Sequence, residues 1–403
     1  MASKLRNHVT DLRGLSRMAV DATTGVADLA EALQARIART PARLGGPLVQ
    51  APVHGIARMV YGTVRGITRA VGGGIDLVLG RAGTLLGEMD SPPGREAVLA
   101  ALNGVLGDYL HDTDNPLAIP MQWRSDGRVL TPAAMAQDSA LARAPRLLVL
   151  VHGLCMNDLQ WQRNGHDHGA ALARDLGDLG LAPIYLHYTT GRRVSTNGQL
   201  LAGQLNALAG ALPGARLHIL AHSMGGLVAR SALHYGSLSG HDWPRRLRTM
   251  IFLGTPHHGA PLERGGHAFE SLLALSGFTA PFTKLSRVRS AGIMDLRHGC
   301  LLDTDWAAQP SEPAHNQRTP VPLPADVRCH AVAAHLGAGP VSTRKRLVGD
   351  GLVPLRSALG EHDDPRYALH FAAGNTFIAA QTGHLDLLSA PPVYEQIRQW
   401  LAQ

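Results

Sequence analysis

The stretch LHILAHSMGGLVARSALHY (217–235) sets a serine, Ser223, between two small residues: Ala221 two positions before it and Gly225 two after. The residues before Ser223 are apolar and read as a strand. After it, Met224, Leu227, Val228, Ala232 and Tyr235 recur at helical spacing. A strand that turns directly into a helix with serine at the joint exposes the hydroxyl on a strained turn, from which it can attack an acyl carbon. The neighbours at minus two and plus two must be small for that turn to close. Glycine is usual in the first slot, and Ala221 adds one methyl to it. His222 completes the turn. The start of the helix points the Met224 N–H toward the place where negative charge would develop.

A serine nucleophile needs a base, and the base needs an acid to orient it, in the chain order Ser, acid, His. RLVGDGLVPLRSA (346–358) places Asp350 after an apolar run and between glycines that permit a tight turn. QTGHLDLLSA (381–390) places His384 in a Gly-His turn before an apolar helical start. His384 would take the Ser223 proton and return it to the leaving group, and Asp350 would hold the imidazole and its positive charge. A turn former at Asp350 and a helix cap at His384 are the plainer alternatives. Asp386 lies too close to His384 to form a separate acid loop, and Asp303, Asp305 and Asp326 have no comparable strand-end setting. Upstream, LVLVHGLCMNDLQW (148–161) ends an apolar run at His152-Gly153. The second oxyanion donor is expected on the loop that follows, at the Leu154 N–H. Cys155 is adjacent, but no histidine stands in acid–base order with it, so it is not read as a nucleophile.

These residues need a scaffold that brings distant segments to one edge. From about residue 145 strand and helix patterns alternate, the sign of a parallel sheet with crossover helices. The expected strands are 146–151, 182–188, 216–221, 249–256 and 327–335, with ALHFAA (368–373) a weaker candidate. Helices are expected near 166–180, from a cap at Asn197 through about 211, from 224 onward, and at PPVYEQIRQWLA (391–402). Residues 257–325 form a long Pro- and Gly-rich insertion that includes the apolar AFESLLALSGFTAPF (268–282), read as a lid over an acyl pocket. A surface excursion with its own small packing cluster is the alternative.

The chain has 403 residues, 45% of them hydrophobic and only 4% aromatic, so a large core built mainly from aliphatic side chains is expected. A formal charge of +7 favours anionic partners. Nucleic acid fits poorly, because the arginines are not interleaved with aromatics and no binding module is present. The three cysteines, Cys155, Cys300 and Cys329, form no disulfide framework, although one Cys300–Cys329 bridge is compatible with the count. His166 with His168, and His257 with His258, are the only histidine pairs that suggest a metal. Neither has a Cys or carboxylate cluster beside it, so no metal and no cofactor is expected.

The first 110 residues read differently. Ile56, Val60, Val64, Ile67, Val71, Ile75 and Val78 recur at steps of three and four, one face of a helix, while Arg58, Arg65 and Arg69 fall on the opposite face. Between residues 36 and 87 the arginines 36, 39, 43, 58, 65, 69 and 81 face one acid, Asp76. Three readings stand: a helical hairpin packed on the catalytic domain or another subunit, a basic amphipathic segment lying on an anionic membrane or lipid inclusion, and a segment disordered until bound. With no signal-peptide pattern and no long apolar span, the chain is expected in the cytoplasm, soluble or peripheral on such a surface. The expected organisation is therefore a helical Gly/Arg-rich extension (1–110), a linker and edge segment (111–144) and a catalytic domain (145–403).

Five motifs in one order, HGL…N at 152–157, AHSMGGLVAR at 221–230, LGTPHHGAP at 253–261, GDGLVP at 349–354 and GHLDLL at 383–388, resemble the α/β-hydrolase lipases and esterases. The nearest flavours are the bacterial lipase group and the GPI inositol-deacylase-like group, and the resemblance covers roughly residues 145–403. It implies an α/β-hydrolase fold, a Ser223–Asp350–His384 triad and hydrolysis of carboxylic esters of hydrophobic, lipid-like substrates. Alanine in the first slot is compatible with activity in that superfamily. The resemblance also makes Thr255, His257 and His258, with His152 and Gly153, walls of the active site. An acyltransferase with the same triad and a catalytically silent lipid- or partner-binding protein are the alternative functions.

Overall fold

The computed structural model describes residues 11, 13–21, 93–260, 290–307, 318–338 and 349–403. The amphipathic stretch 53–80, the basic span 36–87 and the apolar run 268–282 lie outside the described residues. The chain divides into two compact units, Met1–Ser91 with Thr113–Leu117, and Pro92–Asp112 with Ala118–Gln403. In the first, Asn115 Nδ2 donates to Gly14 O at 3.1 Å and Arg17 Nη1 to Asp114 O at 2.8 Å.

The second unit is built on an eight-stranded sheet: β1 (Gln122–Ser125), β2 (Arg128–Leu130), β3 (Arg146–Val151), β4 (Leu181–His187), β5 (Arg216–His222), β6 (Leu247–Leu253), β7 (Arg328–His335) and β8 (Thr376–Ala380). Their order is β2-β1-β4-β3-β5-β6-β7-β8. β1 pairs antiparallel with β2 and β4, and every other pairing is parallel. This is the mostly parallel, helix-flanked sheet of an α/β-hydrolase fold. Chain order runs outward from β3 in two directions, through β4 on one side and β5 on the other. Such a switch point leaves a crevice at the carboxyl ends of the strands.

Parallel strands covered on both faces must be apolar throughout. β3, RLLVLV, satisfies this, and its alternation divides the core. Leu147, Val149 and Val151 face one layer with α3 (Val194–Ala211) and α4 (Met224–Leu238), while Leu148 and Leu150 face the other with α2 (His168–Asp175) and α6 (Pro391–Ala402). Val393, Ile397, Trp400 and Leu401 give α6 its buried stripe at helical spacing.

Several boundaries differ from the sequence reading. α3 begins at Val194, not at a cap on Asn197; the Asn197 side chain instead donates to Thr189 O at 2.9 Å from within the helix. ALHFAA (368–373) is not a strand. The last strand is TFIAA, a short edge strand whose mixed exposure carries little periodic signal. Residues 93–112 form a helix, α1 (Pro93–Asp112), that groups with the sheet unit and not with the residues before it. Buried polar contacts tie it there. Arg124 of β1 donates to Glu96 at 2.9 Å, Asn103 Oδ1 accepts from Ile119 N at 2.9 Å, and Asn103 O accepts from Gly191 N at 2.9 Å. All three cysteines are free and buried, so Cys300 and Cys329 form no bridge. Of the insertion, the described residues include α5 (Ala291–His298), which packs against the body through Ile293 and Leu296. No described helix is long and apolar enough to cross a membrane.

Candidate active site

β5 runs into α4 through Ser223 alone. Its backbone takes φ 56° and ψ −126°, a conformation that L-residues rarely adopt and that costs of the order of 1–3 kcal/mol. The strain is held in place from two sides. Ser223 N donates to Leu253 O of β6 at 2.8 Å, and Gly226 N closes the turn on Ser223 O at 3.0 Å. Ala221 is fully buried in the strand, paired with Val151 and Phe252, and its methyl is accommodated there. Gly225 is different. A Cβ there would lie 2.3 Å from Val151 O, so the plus-two position admits no side chain while α4 packs this closely on β3. Gly153 also lies against the elbow, with a would-be Cβ 2.9 Å from Ser223 Cβ. Ser223 Oγ makes no hydrogen bond among the described residues, and the residue is 5% exposed.

Asp350 and His384 meet although they come from separate loops. His384 Nδ1 donates to Asp350 Oδ2 at 2.7 Å, and His384 N donates to Asp350 O at 3.1 Å. The other carboxylate oxygen accepts from Leu352 N at 3.0 Å and Val353 N at 2.8 Å, which fixes the plane of the group. With its proton on Nδ1, a neutral His384 ring keeps a lone pair on Nε2. Gly254, which directly follows β6 at φ 56°, makes room for the pair. A Cβ there would come within 3.1 Å of both Asp350 Oδ2 and His384 Cε1. Ser223 is bonded to Leu253 and His384 lies against Gly254, so serine, imidazole and carboxylate converge on the carboxyl edge of β5 and β6. Gly254 was not singled out from the sequence. The signal was a glycine immediately after a strand and before Thr-Pro.

His222 supports the same cluster. Its ring lies 4.7 Å from that of His384, and its Nε2 donates to His384 O at 3.1 Å. Burial holds it neutral, with its pKa well below the ordinary histidine value. His152 is fully buried and stacked on Tyr188 at 4.4 Å, and its backbone oxygen accepts from the Tyr188 hydroxyl at 2.8 Å. Burial lowers its pKa to about 3. His152 therefore anchors the loop that carries Leu154. Neither the Leu154 N–H nor the Met224 N–H donates to a protein acceptor among the described residues. For Met224 this follows from its place as the first helical residue. Cys155 is buried and its thiol is pushed up to about 12 by burial, so it holds no thiolate at neutral pH.

The remaining expected wall residues divide. Thr255 is buried behind the elbow, against Gly226. His257 and His258 point elsewhere. The His257 ring packs on Phe252 and Phe371 and meets Arg230, and the His258 ring packs on His362. No hydrogen bond or ring contact joins either to Ser223, Asp350 or His384 among the described residues. His166 and His168 hydrogen-bond each other at 2.8 Å, and His168 Nε2 donates to Leu387 O at 2.9 Å.

Residues 116–279 match a family described as a domain of unknown function, DUF7379. A search of the curated proteins finds no match. Among solved structures, the chain is similar to the mature lipase BlEst2 of Bacillus licheniformis, at 19% identity over 64% of this chain and 93% of that one, with a TM-score of 0.41. It is similar to the lin2722 gene product of Listeria innocua, at 14% identity over 64% and 93%, TM-score 0.35. It is also similar to the RedJ thioesterase of the prodiginine pathway in Streptomyces coelicolor, at 18% identity over 64% and 90%, TM-score 0.35.

Proposed function

We propose that the chain is a serine hydrolase that cleaves carboxylic esters of hydrophobic, lipid-like substrates through Ser223, His384 and Asp350. The observation that carries this reading is the pairing of a strained serine, its hydroxyl without a partner among the described residues, at the β5–α4 joint with a buried His384–Asp350 contact of 2.7 Å at the same sheet edge. Ser223 Oγ attacks the acyl carbon while His384 Nε2 takes its proton. Asp350 stabilises the imidazolium and keeps the ring from rotating. The Leu154 and Met224 N–H groups donate to the oxyanion of the tetrahedral intermediate. The imidazolium then protonates the departing alkoxide, leaving an acyl-serine. Water, deprotonated by the same nitrogen, releases the acid and restores Ser223. The apolar composition of residues 268–282 supports an acyl substrate of low polarity.

Hydrolysis of p-nitrophenyl esters of increasing acyl length tests both parts. The expected result is turnover that rises from acetate to medium or long acyl chains and is lost in Ser223→Ala and His384→Ala. Turnover that peaks at acetate would refute the lipid-like substrate. Turnover that survives in Ser223→Ala would refute the nucleophile.

A further inference from the structure

Two turns along α4 from Ser223, an arginine is buried without a counter-charge among the described residues. Arg230 is 6% exposed, and among the described residues no carboxylate lies within ion-pair distance of it. Its Nη1 donates to His257 Nδ1 at 3.3 Å and its Nη2 donates to Val321 O, while its Nε–H is buried without an acceptor. A guanidinium can only donate, so His257 Nδ1 is an acceptor and the His257 proton sits on Nε2. That Nε2–H is buried and also has no acceptor. A second guanidinium, Arg318, reaches the same place and donates to Gly299 O at 2.7 Å. Burial, and then the charge of Arg318, lower the Arg230 pKa to about 9, which leaves Arg230 positive at neutral pH. Among the described residues lining this place the one carboxylate, Asp305, is already committed to three backbone N–H groups, those of Leu301, Leu302 and Thr319.

Arg230, His257, Arg318 and Asp305 line a cavity of about 20 Å³. A cavity must offer roughly 10–15 Å³ to admit one water-sized occupant, so this one holds a single small species. An unpaired buried charge is costly, and two buried N–H donors without acceptors add to the cost. A neutral water would satisfy the donors but leave the charge. We propose that this cavity is an anion site that takes one halide-sized monovalent anion between Arg230, His257 and Arg318. The anion would bridge α4, the loop after β6 and the segment following residue 318, and so fix the insertion to the body of the domain.

Thermal unfolding in sodium bromide against sodium gluconate at equal ionic strength tests this on the full chain. The expected result is an upward shift of about 2–5 °C in bromide for the native sequence, since a ligand that binds only the folded state raises its melting temperature. The shift should vanish in Arg230→Met. Crystals grown in bromide should show an anomalous peak in the cavity, a readout that does not depend on any variant folding. No bromide-specific shift in the native protein would overturn the proposal. So would an empty anomalous map with water or a carboxylate of residues 308–317 in the cavity, and so would a peak without any shift, which marks an adventitious ion only.

Discussion

At the scale of single residues, the chemistry proposed for the site depends on where one proton sits. The 2.7 Å contact from His384 Nδ1 to Asp350 Oδ2 determines which ring nitrogen is left as a base. Asp350→Asn nearly preserves volume but offers an amide that can donate to Nδ1, favouring the tautomer with the proton on Nε2. On this account kcat for ester hydrolysis falls by roughly 10³–10⁴-fold with little change in KM, as measured by steady-state kinetics. A kcat within threefold of the native value would mean that Asp350 only shapes its turn. The Asp350–His384 pair is legible in the sequence because glycines flank the aspartate and precede the histidine, marking turns, one after an apolar run and the other before an apolar helical start. Gly254 is harder to read. Its need for φ 56° and for empty space beside Asp350 exists only once β6 and the two loops are assembled.

At the scale of elements, the parallel strands are the most legible part, because burial on both faces demands unbroken apolar runs such as RLLVLV and TMIFL. What escapes is set by partners from elsewhere in the chain. α3 has no side-chain cap of its own at Arg193. Asp295 of α5 supplies the acceptor instead, taking a hydrogen bond from Val194 N at 2.6 Å, and no local pattern around Asn197 could reveal that. α1 is hidden for a related reason. Its helix is kinked at Leu106 and its fixing groups, Glu96 and Asn103, are polar residues buried by tertiary contacts. Asp295→Ala leaves Val194 N–H buried and unpaired, so we expect a loss of about 1–2 kcal/mol in urea unfolding at pH 4, where the buried carboxyl group is protonated and little of its contribution is lost. A change below about 0.3 kcal/mol would show that α3 does not depend on this borrowed cap.

At the scale of the whole molecule, the fold buries neutral imidazoles. Burial lowers the pKa of His152 to about 3 and those of His168, His218 and His330 to about 4. These groups bind protons in the unfolded chain near pH 6.5 but not in the folded one. The stability they allow is complete above about pH 6.5 and is lost as the pH falls toward 4. Asp295 acts in the opposite sense. Burial raises its pKa to about 7, so its contribution is present below the unfolded value of 3.8 and declines as the pH rises to 7. Four histidines outweigh one carboxyl group, and the stability from urea unfolding should drop steadily between pH 6.5 and 4. A flat or rising profile on acidification would contradict the buried neutral state of these rings. The histidines themselves are plain in the sequence, but their neutrality is not, because it depends on how deeply the sheet and α6 enclose them.

The central claim, that Ser223 is an activated nucleophile, is tested most directly by a fluorophosphonate probe followed by intact-mass and peptide analysis. The expected result is one adduct per chain, located on Ser223, formed rapidly in the native protein and absent in Ser223→Ala. A native protein that takes up no probe, or a Ser223→Ala variant that is labelled as fast as the native one, would contradict it.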